Sequence, residues 1–244
     1  MHLFETVSFL DDDQPVPLDR VRELVKETTR KLGSIPDLFL IHNPFVARPG
    51  ELKQVWNILE DLKMKGKLKS IGVSNFRPQD LNLVLKNARY TPVVNQVREK
   101  VAVRHSDRTF KNLGQLEYHP YVLAHLEPVL ELQAKHGILT EAYGPLTPIL
   151  RHPTGGPLKP VLQRIARRLS EEMATNINEA TVLLLWTRAQ GVIGVTSSAN
   201  VKHINELAAV YTMPELLSKN EIEEITRVGK TIHFRYYVSC WNRL

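Results

Sequence analysis

A chain of 244 residues, 43% hydrophobic and 24% charged, can bury the core of one large domain and is too apolar for a disordered chain. Its net charge of +6 is scattered along stretches such as 20–31 and 63–69, with no compact basic block carrying interleaved aromatics, so nucleic acid is not an expected partner. The single cysteine, Cys240, excludes an intrachain disulfide and a cysteine-rich zinc site. No apolar run approaches a membrane span and the N-terminus lacks a secretory pattern, so a soluble, cytoplasmic protein is expected.

In chain order, a weak apolar run at 3–8 is followed by an amphipathic stretch from Pro17 to Leu32, with Val21, Leu24, Val25 and Leu32 on one face and Gly33 as its cap. A short apolar strand follows at Leu38–Ile41, then a second amphipathic helix carrying Leu52, Val55, Trp56, Leu59 and Leu62, closed near Gly66. Further strands are expected at Ile71–Val73, Val93–Asn95, Ile138–Ala142 and Ile193–Val195. Pro17 and Pro128 suit first-turn helix positions, and Gly137 suits a C-terminal cap. Later helices are expected over about 158–169, 178–190, 201–207 and 220–229, with Trp56 and Trp186 in the core. Alternating strand and helix imply an α/β fold with right-handed crossovers, which fits a doubly wound sheet or a barrel. Five strands are clear where a closed barrel needs eight, so front units are expected to be missing. The polar, basic stretch 97–115 breaks the rhythm and is expected to be a solvated loop.

No phosphate-binding glycine loop, dinucleotide fingerprint or metal motif is present. Candidate chemistry instead collects after strands. His42 follows Leu38–Ile41, where it could polarise a carbonyl or simply hydrogen-bond at a strand end. Ser74, Asn75, Asn95 and Gln96 also close strands; such groups grip a planar amide, or cap the following helix. Tyr143 could stack on a flat ring or fill a rim. Thr196, Ser197 and Ser198 could seat a phosphate at a helix start or merely cap it.

The segments Asp37-Leu-Phe-Leu-Ile-His42-Asn-Pro44 and Lys69-Ser-Ile-Gly-Val-Ser74-Asn75-Phe76 resemble signatures of the aldo-keto reductase family. Pro92-Val-Val-Asn95-Gln96 and Glu117-Tyr-His-Pro-Tyr121 resemble two halves of one further signature, and Ala142-Tyr143-Gly-Pro-Leu146 resembles the segment that stacks on nicotinamide. The tail from Val228 to Tyr237 is similar to that of fungal, xylose-reductase-like members. The resemblance implies a (β/α)8 TIM barrel, here a single domain over 1–244 lacking its first two or three βα units. It implies an NADP(H)-dependent oxidoreductase acting, without a metal, on a small carbonyl substrate. A mildly basic protein suits such a polyphosphate cofactor.

By the same resemblance His42 would orient the carbonyl, Ser74, Asn75 and Gln96 would hold the carboxamide, and Tyr143 would stack on the ring. Gly144 and Leu146 would approach the pyrophosphate, and Thr196, Ser197, Ser198 and Glu206 would line the adenosine end. The family's catalytic Asp and Tyr belong to segments before the first residue, and its Lys position falls near Ser8. Ser197 and His203 stand where many members grip the 2′-phosphate with Lys and Arg. Removing 97–115 would join Gln96 to Leu116 and restore the split signature. A retained intron is therefore expected there, with GT and AG at its genomic borders; a surface insertion is the alternative.

Overall fold

The computed structural model describes residues 4–7, 15–97, 123–196 and 198–231. The rest of the proposed insertion, the Glu117–Tyr121 signature, Ser8, Ser197 and the tail from Ile232, with Cys240 and Trp241, lie outside these residues. The chain divides into two compact units. Among the described residues, the first holds those up to Gln96 and 128–139; the second holds Val97, 123–127 and everything from Thr140 on.

In the first unit four parallel strands lie side by side in sequence order: β1 (Phe4–Val7), β2 (Leu38–Ile41), β3 (Ile71–Ser74) and β4 (Val94–Val97). The weak run at 3–8 thus supplies a strand. Helices α1 (Leu18–Leu32), α2 (Leu52–Met64) and α3 (Pro78–Leu85) make the crossovers. Strands β2 and β3 are buried along their whole length, as expected of parallel strands covered on both faces. Val21 and Val25 bury one face of α1, and Gly33 ends it at φ 70°, its N–H donating to the Arg30 carbonyl. Pro17 stands one residue before α1 rather than in its first turn, with an extended ψ of 139°. In α2, Val55, Trp56 and Leu59 are fully buried, and the Trp56 indole N–H donates to the Tyr90 carbonyl at 3.2 Å. The buried Glu60 carboxylate accepts from the backbone N–H groups of Arg89 and Tyr90.

Gly72, inside β3, marks the closest packing. A Cβ there would lie 2.7 Å from Leu40 Cδ2, 2.8 Å from Val94 Cγ2 and 3.0 Å from the Val94 carbonyl oxygen. Leu38, Leu40 and Val94 cluster in this space, which only a residue without a side chain leaves open.

Helix α3 was not anticipated by periodicity; α4 (Leu123–Lys135) was anticipated only by its end signals, Pro128 and Gly137, and starts earlier than they imply. In α4, Pro128 lies inside the helix, not in its first turn. The ring removes one donor but does not prevent Leu126 and Val129 from being buried.

In the second unit β5 (Leu139–Tyr143) runs parallel to β6 (Ile193–Val195). The short α5 (Thr147–Leu150) follows β5; the long helices are α6 (Leu158–Met173), α7 (Glu179–Ala189), α8 (Val201–Ala209) and α9 (Lys219–Gly229). Residues Thr181–Thr187 of α7 are buried without a break, which makes it this unit's central helix. Trp186 is fully enclosed, and its indole N–H donates to Thr226 Oγ1 of α9 at 3.0 Å. Helix α9 starts with a capping box, Ser218 accepting from the Glu221 N–H and Glu221 from the Ser218 N–H. Among the described residues, no helix is long and apolar enough to cross a membrane.

Candidate functional site

In the first unit the candidate residues gather at the C-terminal ends of β2, β3 and β4. His42 is the first residue past β2 and is 8% exposed. Next to it, the Asn43 side chain accepts from the Phe45 N–H at 2.8 Å and starts the 3-10 turn Pro44–Val46. Ser74 closes β3, and its hydroxyl donates to the Gln96 carbonyl at 2.8 Å. Asn75 adopts φ 60°, its backbone N–H donates to the same carbonyl at 2.8 Å, and its Nδ2 donates to the His42 carbonyl at 3.1 Å. These bonds tie the ends of three strands together.

The alternative that Ser74 and Asn75 cap the next helix fails on geometry. Helix α3 is capped by Arg77 and Asp80: the Asp80 carboxylate accepts from the Arg77 backbone N–H at 3.1 Å and from its guanidinium at 2.6 and 2.9 Å. Ser74 and Asn75 point across the strand ends instead.

Asn95 and Gln96 play different parts. The β3–β4 register pairs Val73 with Asn95 and Ser74 with Gln96, and neighbours along a strand face opposite sides. Asn95 is fully buried and locks the backbone after β3: its Oδ1 accepts from the Phe76 N–H, and its Nδ2 donates to the Phe76 carbonyl and to Gln133 Oε1. Gln96 shares a face with Ser74 and stays with the candidate amide-binding group.

The second unit holds its candidates in a looser setting. Tyr143 closes β5, pairs in register with Val195 and is half-buried. Gly144 follows at φ 72°, where a Cβ would approach Thr147 Oγ1 to 3.0 Å. Leu146 is buried just before α5. Thr196 is exposed directly after β6, and Ser198 Oγ accepts from the Asn200 N–H at 3.1 Å. Asn200, not the hydroxyl run, caps α8, accepting from the Lys202 N–H at 2.9 Å. Glu206, one turn into α8, faces Lys202 at 3.8 Å. His203 is exposed on the same helix.

Tyr211 received no role from the sequence. Its hydroxyl donates to the Gly194 carbonyl of β6 at 2.7 Å, and burial pushes its pKa up against the pull of the nearby Arg188 charge. Arg188 in turn donates to the carbonyls of Val210, Met213 and Pro214, which anchors the segment after α8. Neither contact leaves a signal in sequence periodicity, because each joins a side chain to backbone across a loop.

Parallel strands joined by helices, with polar side chains gathered after the strands, define an α/β protein of the β/α-barrel type. The chain belongs to the Aldo/keto reductase family, whose profile matches residues 17–230. It is 30% identical over 224 residues to the NAD/NADP-dependent indole-3-acetaldehyde reductase of Schizosaccharomyces pombe, covering 91% of this chain and 69% of that one. It is also 30% identical over 220 residues to the NADPH-dependent alpha-keto amide reductase of Saccharomyces cerevisiae, covering 88% of this chain and 62% of that one. Among solved structures, an aldo/keto reductase from Brucella melitensis superposes with a TM-score of 0.66 at 27% identity, over 91% of this chain and 72% of that one. The expected β/α-barrel fold class and fungal, NADP-linked kinship are therefore borne out.

Proposed function

We propose that this chain is an NAD(P)H-dependent oxidoreductase of the aldo-keto reductase type, acting in the cytoplasm on a small aldehyde or ketone and yielding the alcohol. The observation that carries this reading is the grouping of Ser74, Asn75 and Gln96 beside His42 at the ends of β2, β3 and β4. A carboxamide offers two N–H donors and one acceptor oxygen. The side-chain oxygens of Asn75 and Gln96 are acceptors and the Gln96 amide is a donor, so the residues present fit the nicotinamide group.

When bound, the reduced nicotinamide supplies a hydride. His42 donates a hydrogen bond to the carbonyl oxygen, favouring the charge that develops there. Ser74, Asn75 and Gln96 hold the carboxamide, and Tyr143 stacks on the ring. Gly144 and Leu146 approach the pyrophosphate, Gly144 by offering backbone unobstructed by a Cβ, and Leu146 through its backbone because its side chain is buried. Thr196, Ser197, Ser198 and Glu206 line the adenosine end. The test is NADPH consumption by purified protein over a panel of aldehydes and ketones. Carbonyl-dependent consumption that His42→Ala lowers steeply supports the reading; its absence in a folded protein that binds NADPH rejects it.

A second reading has its own support: among the described residues the group after β2–β4 is mostly one for holding a carboxamide, Ser74, Asn75 and Gln96, with His42 its candidate for chemistry. On this reading the chain binds the nucleotide without turnover, and saturable NADPH binding with no consumption is its signature.

A further inference from the structure

The β2–β3 ladder ends where Ile41 pairs with Val73, so the peptide of His42 lies just past the reach of strand pairing. Its carbonyl is taken by a side chain instead, Asn75 Nδ2 at 3.1 Å. The second Nδ2 proton faces Ser74 Oγ, also at 3.1 Å. The backbone of Asn75 is itself fixed, by its N–H donating to the Gln96 carbonyl at 2.8 Å and by a left-handed φ of 60°. Few side chains tolerate that φ; asparagine does, and glycine would do so at no cost. Glycine would keep the turn but would bring no amide to His42.

We propose that Asn75 is a positioning residue for His42: its side-chain amide sets the peptide from which the imidazole projects. This rests on the reading of His42 as the group that orients the substrate carbonyl. It adds a task for Asn75 distinct from contact with the cofactor. The left-handed turn at Asn75 aims the amide across β3 toward the end of β2, while Ser74 and the Asn75 N–H both close onto Gln96 on the β4 side. A shift of about 1 Å in a substrate-positioning group can cost roughly a hundredfold in rate, so holding this peptide has kinetic weight.

The test uses the full chain and two variants. Asn75→Gly keeps the backbone conformation and removes the amide; Asn75→Asp keeps shape and φ tolerance but replaces the donor with an acceptor. Side-chain histidine resonances are recorded without cofactor, with His42 assigned by its loss in His42→Ala. The expected result is that both variants move or broaden the His42 ring signals and leave those of His136, His152 and His203 in place. Unchanged His42 signals in both folded variants would overturn the proposal. This arm needs neither NADPH binding nor turnover, so its outcome is separable from that of the proposed activity. Where carbonyl reduction is measurable, Asn75→Gly at saturating NADPH is expected to lower kcat/KM for the carbonyl by roughly ten- to a hundredfold. In a His42→Ala background it is expected to add little. Losses that simply multiply would also overturn the proposal.

Discussion

The strand ends of the first unit and the β6–α8 segment of the second each hold candidate binding residues, yet they are built differently. At β2–β4 the side chains, half-buried at Asn75 and buried at His42, Ser74, Asn95 and Gln96, are bonded to one another and to backbone groups before any ligand is considered. At β6–α8 Thr196 is exposed, Glu206 faces a lysine at 3.8 Å, and α8 buries none of its residues. The difference follows the chemistry each end would serve. Placing a reacting ring demands groups whose positions are set in advance, because small errors there cost rate. Holding an adenosine needs only binding energy, which exposed hydroxyls and a charge can provide once the ligand is present.

If this contrast is sound, substitutions at the first end should cost stability, and those at the second should cost affinity alone. The largest effect is expected from Asn95→Leu, which takes a partner from the Phe76 N–H, the Phe76 carbonyl and Gln133. At about 1–3 kcal/mol for each buried group left short, urea denaturation should show a loss of ~3 kcal/mol or more. A loss under about 1 kcal/mol would mean the end is not preorganised. Gly72→Ala comes next, by ~1–3 kcal/mol, since two of the three close neighbours are side chains that can shift and the third is backbone.

A pH effect of intermediate size belongs to the second unit. Burial would raise the pKa of Glu221, but bonds from Arg168 and Ser218 outweigh it and hold the carboxyl below its ordinary value of 4.5. A depressed carboxyl stabilises the fold above its unfolded pKa and loses that contribution as pH falls through the folded one. Thermal midpoints should therefore drop below about pH 4.5, less steeply in Glu221→Gln. The smallest change in stability is expected from Glu206→Gln. Its ion pair with Lys202 has side chains 41% and 80% exposed, so stability should move by less than about 0.5 kcal/mol while NADPH affinity falls severalfold. A marked loss of stability there would break the contrast from the other side.

Strand positions were legible because buried parallel strands are short continuous apolar runs, as at Leu38–Ile41 and Ile71–Ser74. Helices α1, α2 and α9 were legible from apolar spacing and end signals. Helix α3 was not, because eight residues hold too few turns for a period to stand out, and Pro128 disguised the start of α4. At the site, the positions of His42, Ser74, Asn75 and Gln96 after strands could be read in order, but not their partners. That Asn95 is a lock while Gln96 is a candidate contact follows from strand alternation and could have been drawn from the sequence. That Asn75 reaches the peptide of His42 depends on a left-handed φ, which no pattern of residue types announces. The intron proposed for 97–115 rests on the restored signature alone, and genomic DNA without GT and AG at those borders would defeat it.

The central claim, that the ends of β2–β4 form a ready nicotinamide-binding surface, is tested most directly by titrating the purified chain with NADPH and following cofactor fluorescence, with NADH alongside and Gln96→Ala as the control. Saturable binding by the folded wild-type chain, weakened in a Gln96→Ala variant that still unfolds cooperatively, is the predicted result. A cooperatively folded chain showing no saturable change with either cofactor would contradict it.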